Sequence, residues 1–442
     1  MSPIKIYQVL FFVGILLTFV GGGAVMVYAQ SLQQSSSEGA VVLSPIEALG
    51  QLLYFDVDLS EPDGQACASC HEPSVGFDDP EDYLPVSEGV ILGMFGGRNS
   101  PASSYAMYSP IFYFDEVEGL WIGGQFWDGR ATGEVLGDPL ADQALGPFMN
   151  PVEMHNPDKR TVVCDIPGSG YADLFTLVWG IDLTECDLLT DGQIEIAYDD
   201  IALSIAAFER TLLFGQFSSQ YDAYLAACIW RGGAMDACAA GIGRVAERTG
   251  KRFFTREEWY GLKLFMGENN NDGILQRGEG AMCSACHIAT WTAVADYALP
   301  IQSPTWAPSG WVPPVFSDFT YDNLGIPANT EFPFDPSAPP DLGLGSVLGD
   351  ATLDGMFKVM TLRNIGLTGP YAHNGYFDTL KEIVHFYNTR DVPGSLPHGL
   401  DWPPAEVPYT VNVDELGNLG LSDADEDALI EFMKTLSDGY MQ

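Results

Sequence analysis

The chain is 442 residues long and 46% hydrophobic, enough for more than one hydrophobic core. Its 60 Asp and Glu against 19 Lys and Arg give a formal charge of −41, and such a surface repels nucleic acid, so nucleic-acid binding is excluded.

Lys5 precedes a nearly unbroken apolar run from Val9 to Ala29, which ends in Val27-Tyr28-Ala29, the small-residue pattern of a signal-peptidase site. Residues 1–29 are therefore expected to be an export signal. An uncleaved N-terminal anchor is the alternative, because the run is long enough to span a bilayer. Residues 30–43, with Ser35-Ser36-Ser37, read as a flexible lead-in. Either way the body is expected in the periplasm, and membrane contact arises only if the leader is kept.

Ser44-Pro45-Ile46-Glu47 combines a capping box with proline at the first helical position and predicts a helix toward Leu53. Cys67-Ala68-Ser69-Cys70-His71 follows. The same C-x-x-C-H pattern returns at Cys283-Ser284-Ala285-Cys286-His287. Two thiols at this spacing can add to the two vinyl groups of one porphyrin, and the next residue puts an imidazole beneath the iron. Zinc would need four ligands gathered at one place. Two copies in an exported chain point to two covalently bound haem c groups, with His71 and His287 as proximal iron ligands.

Cys164, Cys186, Cys228 and Cys238 remain, an even number in an oxidising compartment. Proximity favours disulfides Cys164–Cys186 and Cys228–Cys238, with buried free thiols as the alternative. Ile201, Ile205, Phe208 and Leu212 share one helical face. Thr255 is placed to cap a helix bearing Trp259, Leu262, Phe265 and Met266. Glu268, Asn270, Asp272, Gly273 and Glu279 then imitate a calcium-binding loop, with Leu275 at its apolar position; a polar turn is the alternative. Residues 296–345 are rich in Gly and Pro. Ser422 and Asp425 open a last helix with Leu429, Phe432, Met433 and Leu436 on its buried stripe. The fold class expected is mainly α: two small helical haem domains wrapped by long irregular loops.

Many short runs, in order, carry a wider resemblance. They include LGQLLYFDVDLS (49–60), CASCHEPSVGF (67–77), GGRNSP (96–101), QFWDGRAT (125–132), GPFMNPVEM (146–154) and YDDIALSIAAFERTL (198–212). GEGAMCSACH (278–287), NLGIPAN (323–329) and FKVMTLRNIGLTGPYAHNGYFDTLKEIVHFYN (357–388) continue the series. The chain resembles the bacterial di-haem cytochrome c peroxidases and their relative MauG along nearly its whole length after the leader.

That resemblance implies two cytochrome c-like domains, 44–245 with the peroxide-reactive haem and 246–442 with the haem that feeds it electrons. Glu153 matches the acid–base carboxylate over the peroxidatic iron, which can take a proton from hydrogen peroxide and return it to the leaving oxygen. Gln143 sits where a second polar distal group can stand. Trp127 matches the tryptophan between the haems, and Asn99, Thr368 and Pro370 match a calcium site built largely of backbone oxygens.

Two departures stand out. Family peroxidases carry a histidine after the first haem motif that ligates the first iron until reduction. Here no histidine lies between His71 and His155, which predicts an open first iron, with Met94 as a substitute ligand to be tested. The peroxidases' distal methionine on the second iron is replaced by Tyr387, as in MauG-like proteins; Met360 is the runner-up, and His373 and His385 are further alternatives. A hard phenolate favours ferric iron over ferrous.

Three functions follow from these features. The first is a peroxidase reducing hydrogen peroxide with electrons from a small exported cytochrome c or cupredoxin. The second is a MauG-like oxidase acting on a partner protein or small organic molecule through a high-valent di-haem state. The third is a plain electron carrier, which Glu153 and the open first iron argue against.

Overall fold

The computed structural model describes residues 42–81, 83–267 and 280–441. The expected export signal, nearly all of the lead-in and the calcium-loop lookalike at 268–279 lie outside the described residues.

Residues from Leu43 onward form one unit, mainly α as expected. The helices of its first part are α1 (Pro45–Tyr54), α2 (Cys67–Cys70), α3 (Pro139–Ala144), α4 (Lys159–Ser169), α5 (Ala172–Trp179) and α6 (Asp191–Glu209). Those that follow are α7 (Gln220–Trp230), α8 (Met235–Ala239), α9 (Gly243–Phe253), α10 (Arg256–Phe265), α11 (Leu344–Leu348), α12 (Leu380–Thr389) and α13 (Asp423–Lys434). Three short antiparallel pairs complete the list: β1 (Tyr113–Asp115) with β2 (Leu120–Ile122), β3 (Thr292–Ala293) with β4 (Trp311–Val312), and β5 (Tyr321–Asp322) with β6 (Phe357–Lys358). No described helix is long and apolar enough to cross a membrane.

One local device starts most of the long helices. A Ser or Thr stands before the first turn, and an acid or amide three residues on returns a bond to its backbone N–H. Glu47 accepts from Ser44 N at 2.6 Å, Glu258 from Thr255 N at 2.7 Å and Asp425 from Ser422 N at 2.9 Å. Thr190 with Gln193, Ser219 with Asp222 and Thr379 with Glu382 repeat it. Both expected disulfides are present, with Cα–Cα distances of 5.4 Å for Cys164–Cys186 and 6.0 Å for Cys228–Cys238.

Two details differ from the sequence reading. Helix α6 ends at Glu209, so Leu212 lies beyond it. Thr211 N closes a turn onto Phe208 O at 3.0 Å, and the chain leaves the helical axis before Leu212. Leu436 is buried as expected, but it also falls past its helix, in the turn after Lys434.

The packing repeats itself. In the first part α1 crosses α6 at Gly50, where an added Cβ would stand 1.8 Å from Ser204 O and 2.9 Å from Phe208 Cβ. In the second part α10 crosses α13 at Gly261, where a Cβ would stand 1.9 Å from Ala428 O and 2.8 Å from Phe432 Cβ. Each crossing pairs a glycine with a helix whose phenylalanine sits one turn after the touching carbonyl. Each pair also brackets one C-x-x-C-H motif in sequence. Backbone atoms occupy the added methyl's place, so Gly50→Ala and Gly261→Ala should each destabilise the protein by about 3 kcal/mol. The check is a lower denaturation midpoint with an unchanged m-value.

Buried side chains cluster in the same two parts. One core runs from Leu49 to Phe214 and another from Tyr221 to Leu436. A third, around Tyr105, Tyr108, Phe217 and Val315, joins residues of both. Between them lies a fully enclosed ion pair: Arg363 Nη1 donates to Asp222 Oδ2 at 2.8 Å, with both side chains 0% exposed. Arg363 Nε and Nη2 donate to Pro314 O at 2.9 and 2.6 Å.

Candidate functional site

Both C-x-x-C-H motifs open onto one cavity of about 650 Å³. The first motif is a single helical turn, α2, closed by His71 N donating to Cys67 O at 3.0 Å. The second repeats that bond, His287 N to Cys283 O at 2.9 Å. Tyr54, from α1, donates its hydroxyl to His71 O at 3.0 Å and so ties the first motif to the helix crossing.

The residues present fit haem c. Cys67, Cys70, Cys283 and Cys286 are free thiols lining the cavity, while the other four cysteines are paired. His287 Nδ1 lies 3.0 Å from Phe316 O. A carbonyl only accepts, so Nδ1 carries the proton and Nε2 keeps its lone pair for a metal. Burial lowers the pKa of both imidazoles and keeps them neutral, as ligation requires. The His71 ring is attracted to Asp79 and to the Phe77 backbone, yet its Nδ1 makes no hydrogen bond of full geometry.

Glu153 comes to the cavity on the turn after Pro147–Met149. Asn150 Nδ2 donates to Glu153 Oε1 at 2.7 Å, and Val90 N donates to Glu153 O at 2.9 Å. Burial raises the Glu153 pKa above the ordinary carboxylate value, while Arg130 and the Asn150 bond pull it back. Gln143, on α3, lines the same cavity. Met94 does not: it is 39% exposed, in a turn outside the lining.

Trp127 lines the cavity together with both motifs. Its Nε1 donates to Asn99 O at 2.9 Å, and its own carbonyl accepts from Lys358 N at 2.8 Å. The next residue, Asp128, accepts from Arg98 Nη1 at 2.5 Å, while Arg98 Nε and Nη2 grip Asp341 at 2.6 and 2.8 Å. This clamp joins residues far apart in sequence and fixes the indole's backbone.

Tyr387 projects from α12 into the cavity beside the second motif. Burial raises its pKa strongly, and Cys283 and Cys286 add to the shift. Its hydroxyl makes no hydrogen bond among the described residues. Met360 lines the cavity too, and its backbone faces the His287 ring. His373 lies in the lining, stacked on Phe357 at 3.6 Å, with Nε2 3.4 Å from Glu406 Oε2. His385 has both ring nitrogens engaged, at 2.9 Å with Glu426 and 3.3 Å with Ser395 O, and is not part of the lining.

Asn99, Thr368 and Pro370 line the cavity as a group, Asn99 N being held by His373 O at 2.8 Å. Among the described residues no three or more His, Cys, Asp or Glu side chains are arranged to hold a metal ion.

Two buried charged groups escaped the sequence reading. Lys358 Nζ donates to Gly124 O at 2.7 Å and Gln125 Oε1 at 3.2 Å, and burial lowers its pKa to about 7. Glu209 lines the cavity, with Oε2 buried and unpartnered. Burial, with Asp138 nearby, raises its pKa to about 8. Its position one turn after Ile205 on a buried face was the available signal. The folded protein holds this proton that the unfolded chain releases near pH 4.5, so stability is lost as pH rises from about 4.5 to about 8. Glu209→Gln should therefore raise the melting temperature at pH 8 by several degrees, and less at pH 5.

Comparison with known proteins agrees with this geometry. Residues 44–228 match the family described as di-haem cytochrome c peroxidase. The methylamine utilization protein MauG of Paracoccus denitrificans is 31% identical over 414 residues, covering 89% of this chain and 88% of that protein. The cytochrome c551 peroxidase of Pseudomonas aeruginosa is 25% identical over 362 residues, covering 80% of this chain and 74% of that one. Among solved structures, the diheme peroxidase BthA of Burkholderia thailandensis aligns with a TM-score of 0.68 and 27% identity, over 91% of this chain and 90% of that one. The chain belongs to the di-haem cytochrome c peroxidase and MauG family, oxidoreductases that act on peroxide.

Proposed function

We propose that this protein is a periplasmic peroxidase that reduces hydrogen peroxide to water, with electrons passed from the second motif's site to the first. The observation that carries this reading is a single cavity lined by both C-x-x-C-H motifs, Glu153, Trp127 and Tyr387. Haem c, when bound, supplies a redox-active iron at each motif. The repeated helix crossings support two cytochrome c-like halves, and the core clusters favour a division near residues 215–220 over one near 245.

Glu153 is the proton carrier of the first site. Its carboxylate is half-buried and oriented by Asn150, so it takes a proton from peroxide at the inner oxygen and returns it to the outer one. Gln143 orients peroxide beside it. His71 and His287 hold the irons, and the lack of any histidine between His71 and His155, with Met94 outside the cavity, leaves the first iron open. Trp127, clamped between Asn99 and Lys358, relays electrons between the two sites. Asn99, Thr368 and Pro370 hold a calcium ion through oxygen atoms. The electron donor is a small exported cytochrome c or cupredoxin.

One observation favours the MauG-like reading, oxidation of a partner protein or small organic substrate. Tyr387 stands where a soft ligand would be needed for a high-potential relay, while Met360 presents its backbone to the His287 ring instead. Tyr387→Met should raise the reduction potential of the second haem and make its reduced form accumulate under mild reductant. An unchanged potential removes Tyr387 as its ligand. Oxidised protein should show one high-spin and one low-spin ferric EPR signal, and two low-spin signals would defeat the open first site. Turnover of peroxide with reduced cytochrome c separates the two readings.

A further inference from the structure

The β1–β2 hairpin carries an aromatic stack that runs from the surface to the neighbourhood of Trp127. Half-buried Trp121 lies flat on Phe112, ring centroids 4.8 Å apart and 8° from parallel. Phe114 packs on its other side at 5.2 Å. Phe112 meets Tyr321 edge-on at 5.9 Å. Tyr321 is β-paired with Lys358, whose N–H donates to Trp127 O. Tyr321 Oη and Phe112 also press on Gly129, two residues from Trp127: a Cβ there would stand 2.3 Å from the hydroxyl and 3.0 Å from the Phe112 ring.

At the outer end, Tyr113, Phe114, Val117 and Leu120 are exposed. Glu116 and Glu118 stand exposed at the tip beside them. Exposed apolar groups with a rim of one charge are the surface of a protein interface. The acidic rim selects a positively charged partner and speeds its approach.

We propose that this hairpin docks a positively charged one-electron donor protein, and that Trp121 is the residue through which its electrons enter toward Trp127. The proposal rests on the peroxidase reading above. Trp121 gives one electron to oxidised Trp127 and regains it from the reduced donor. Two such electrons and two protons from solvent convert one hydrogen peroxide into two waters. Phe112 and Tyr321 serve as bridging rings and are not oxidised, since the Tyr321 proton is held by a carbonyl, Gly123 O at 2.5 Å. Electron tunnelling weakens steeply with distance, so a close-packed bridge outpaces a jump across open structure.

Two measurements on the holoenzyme test this. The first needs no turnover. The protein is treated with hydrogen peroxide without donor, and oxidised tryptophans are mapped by peptide mass spectrometry. Trp230, 85% exposed and outside the stack, is the internal control. Oxidation at Trp121 with Trp230 spared supports the route, whereas Trp230 marked as much as Trp121 overturns it. A protein that does not react with peroxide at all overturns the peroxidase reading instead, a separate result.

The second compares a reduced basic c-type cytochrome with hydroquinone as donors. Trp121→Phe, and the pair Glu116→Lys with Glu118→Lys, should each slow cytochrome oxidation about tenfold more than hydroquinone oxidation. In the wild type only the cytochrome rate should fall steeply with salt. Equal losses with both donors overturn the proposal.

Discussion

Glu153→Gln is expected to slow the reaction with hydrogen peroxide by about a hundred- to ten-thousandfold, the usual contribution of a positioned acid–base group. The amide keeps the size of the side chain and can still meet Asn150, but it cannot accept a proton. Both haems should stay attached, visible in the intact mass and the resting spectrum. The measurement is rapid mixing with one equivalent of peroxide, followed by absorbance. The wild type should also show an acid limb. Burial raises the Glu153 pKa, so the basic form is lost as pH falls through a value above the ordinary carboxylate range, and the rate falls with it. That limb should vanish in the glutamine variant. Equal rates for the two proteins remove Glu153 from the mechanism.

Arg363→Met is expected to cost about 3–5 kcal/mol of stability, the loss typical of breaking a buried ion pair from one side. Asp222 would keep its charge in an enclosed place where its Oδ1 already lacks a partner. Pro314 O would lose both of its donors as well. The guanidinium is also ringed by Phe217 at 4.8 Å, Phe316 at 5.4 Å, Tyr105 at 5.5 Å and Tyr221 at 5.8 Å, so the methionine regains packing but not the cation–π attraction. Pairing the change with Asp222→Asn should recover part of the loss, because the uncompensated charge goes with it. Denaturant midpoints of the single and double variants measure this, and a single-variant loss under about 1 kcal/mol contradicts the account.

What could be read from the chain was what is written locally. The capping boxes at Ser44, Thr255 and Ser422 need residues only three apart, and the haem motifs only five in a row. Cysteine pairs 22 and 10 residues apart were favoured by simple proximity. The resemblance supplied Glu153, Gln143, Trp127 and Tyr387, and the fold gathers all four around one cavity. Charged groups were harder. Arg363 is silent without Asp222, 141 residues earlier, and Lys358 without the carbonyl of Gly124, 234 residues earlier. Leu212 missed its helix because the turn that ends α6 leaves no proline or glycine as a mark.

The glycine crossings bear on how the protein is made. Each half is closed by helices from its two ends, α1 on α6 and α10 on α13, so neither can shut until its last helix has been delivered across the membrane. Contacts between such distant segments form slowly. Until then the thiols of the enclosed C-x-x-C-H motif stay reachable by the machinery that fastens a porphyrin to them. Maturation therefore has a built-in order, with the cofactor first and closure second, and the first half ready before the second has fully emerged.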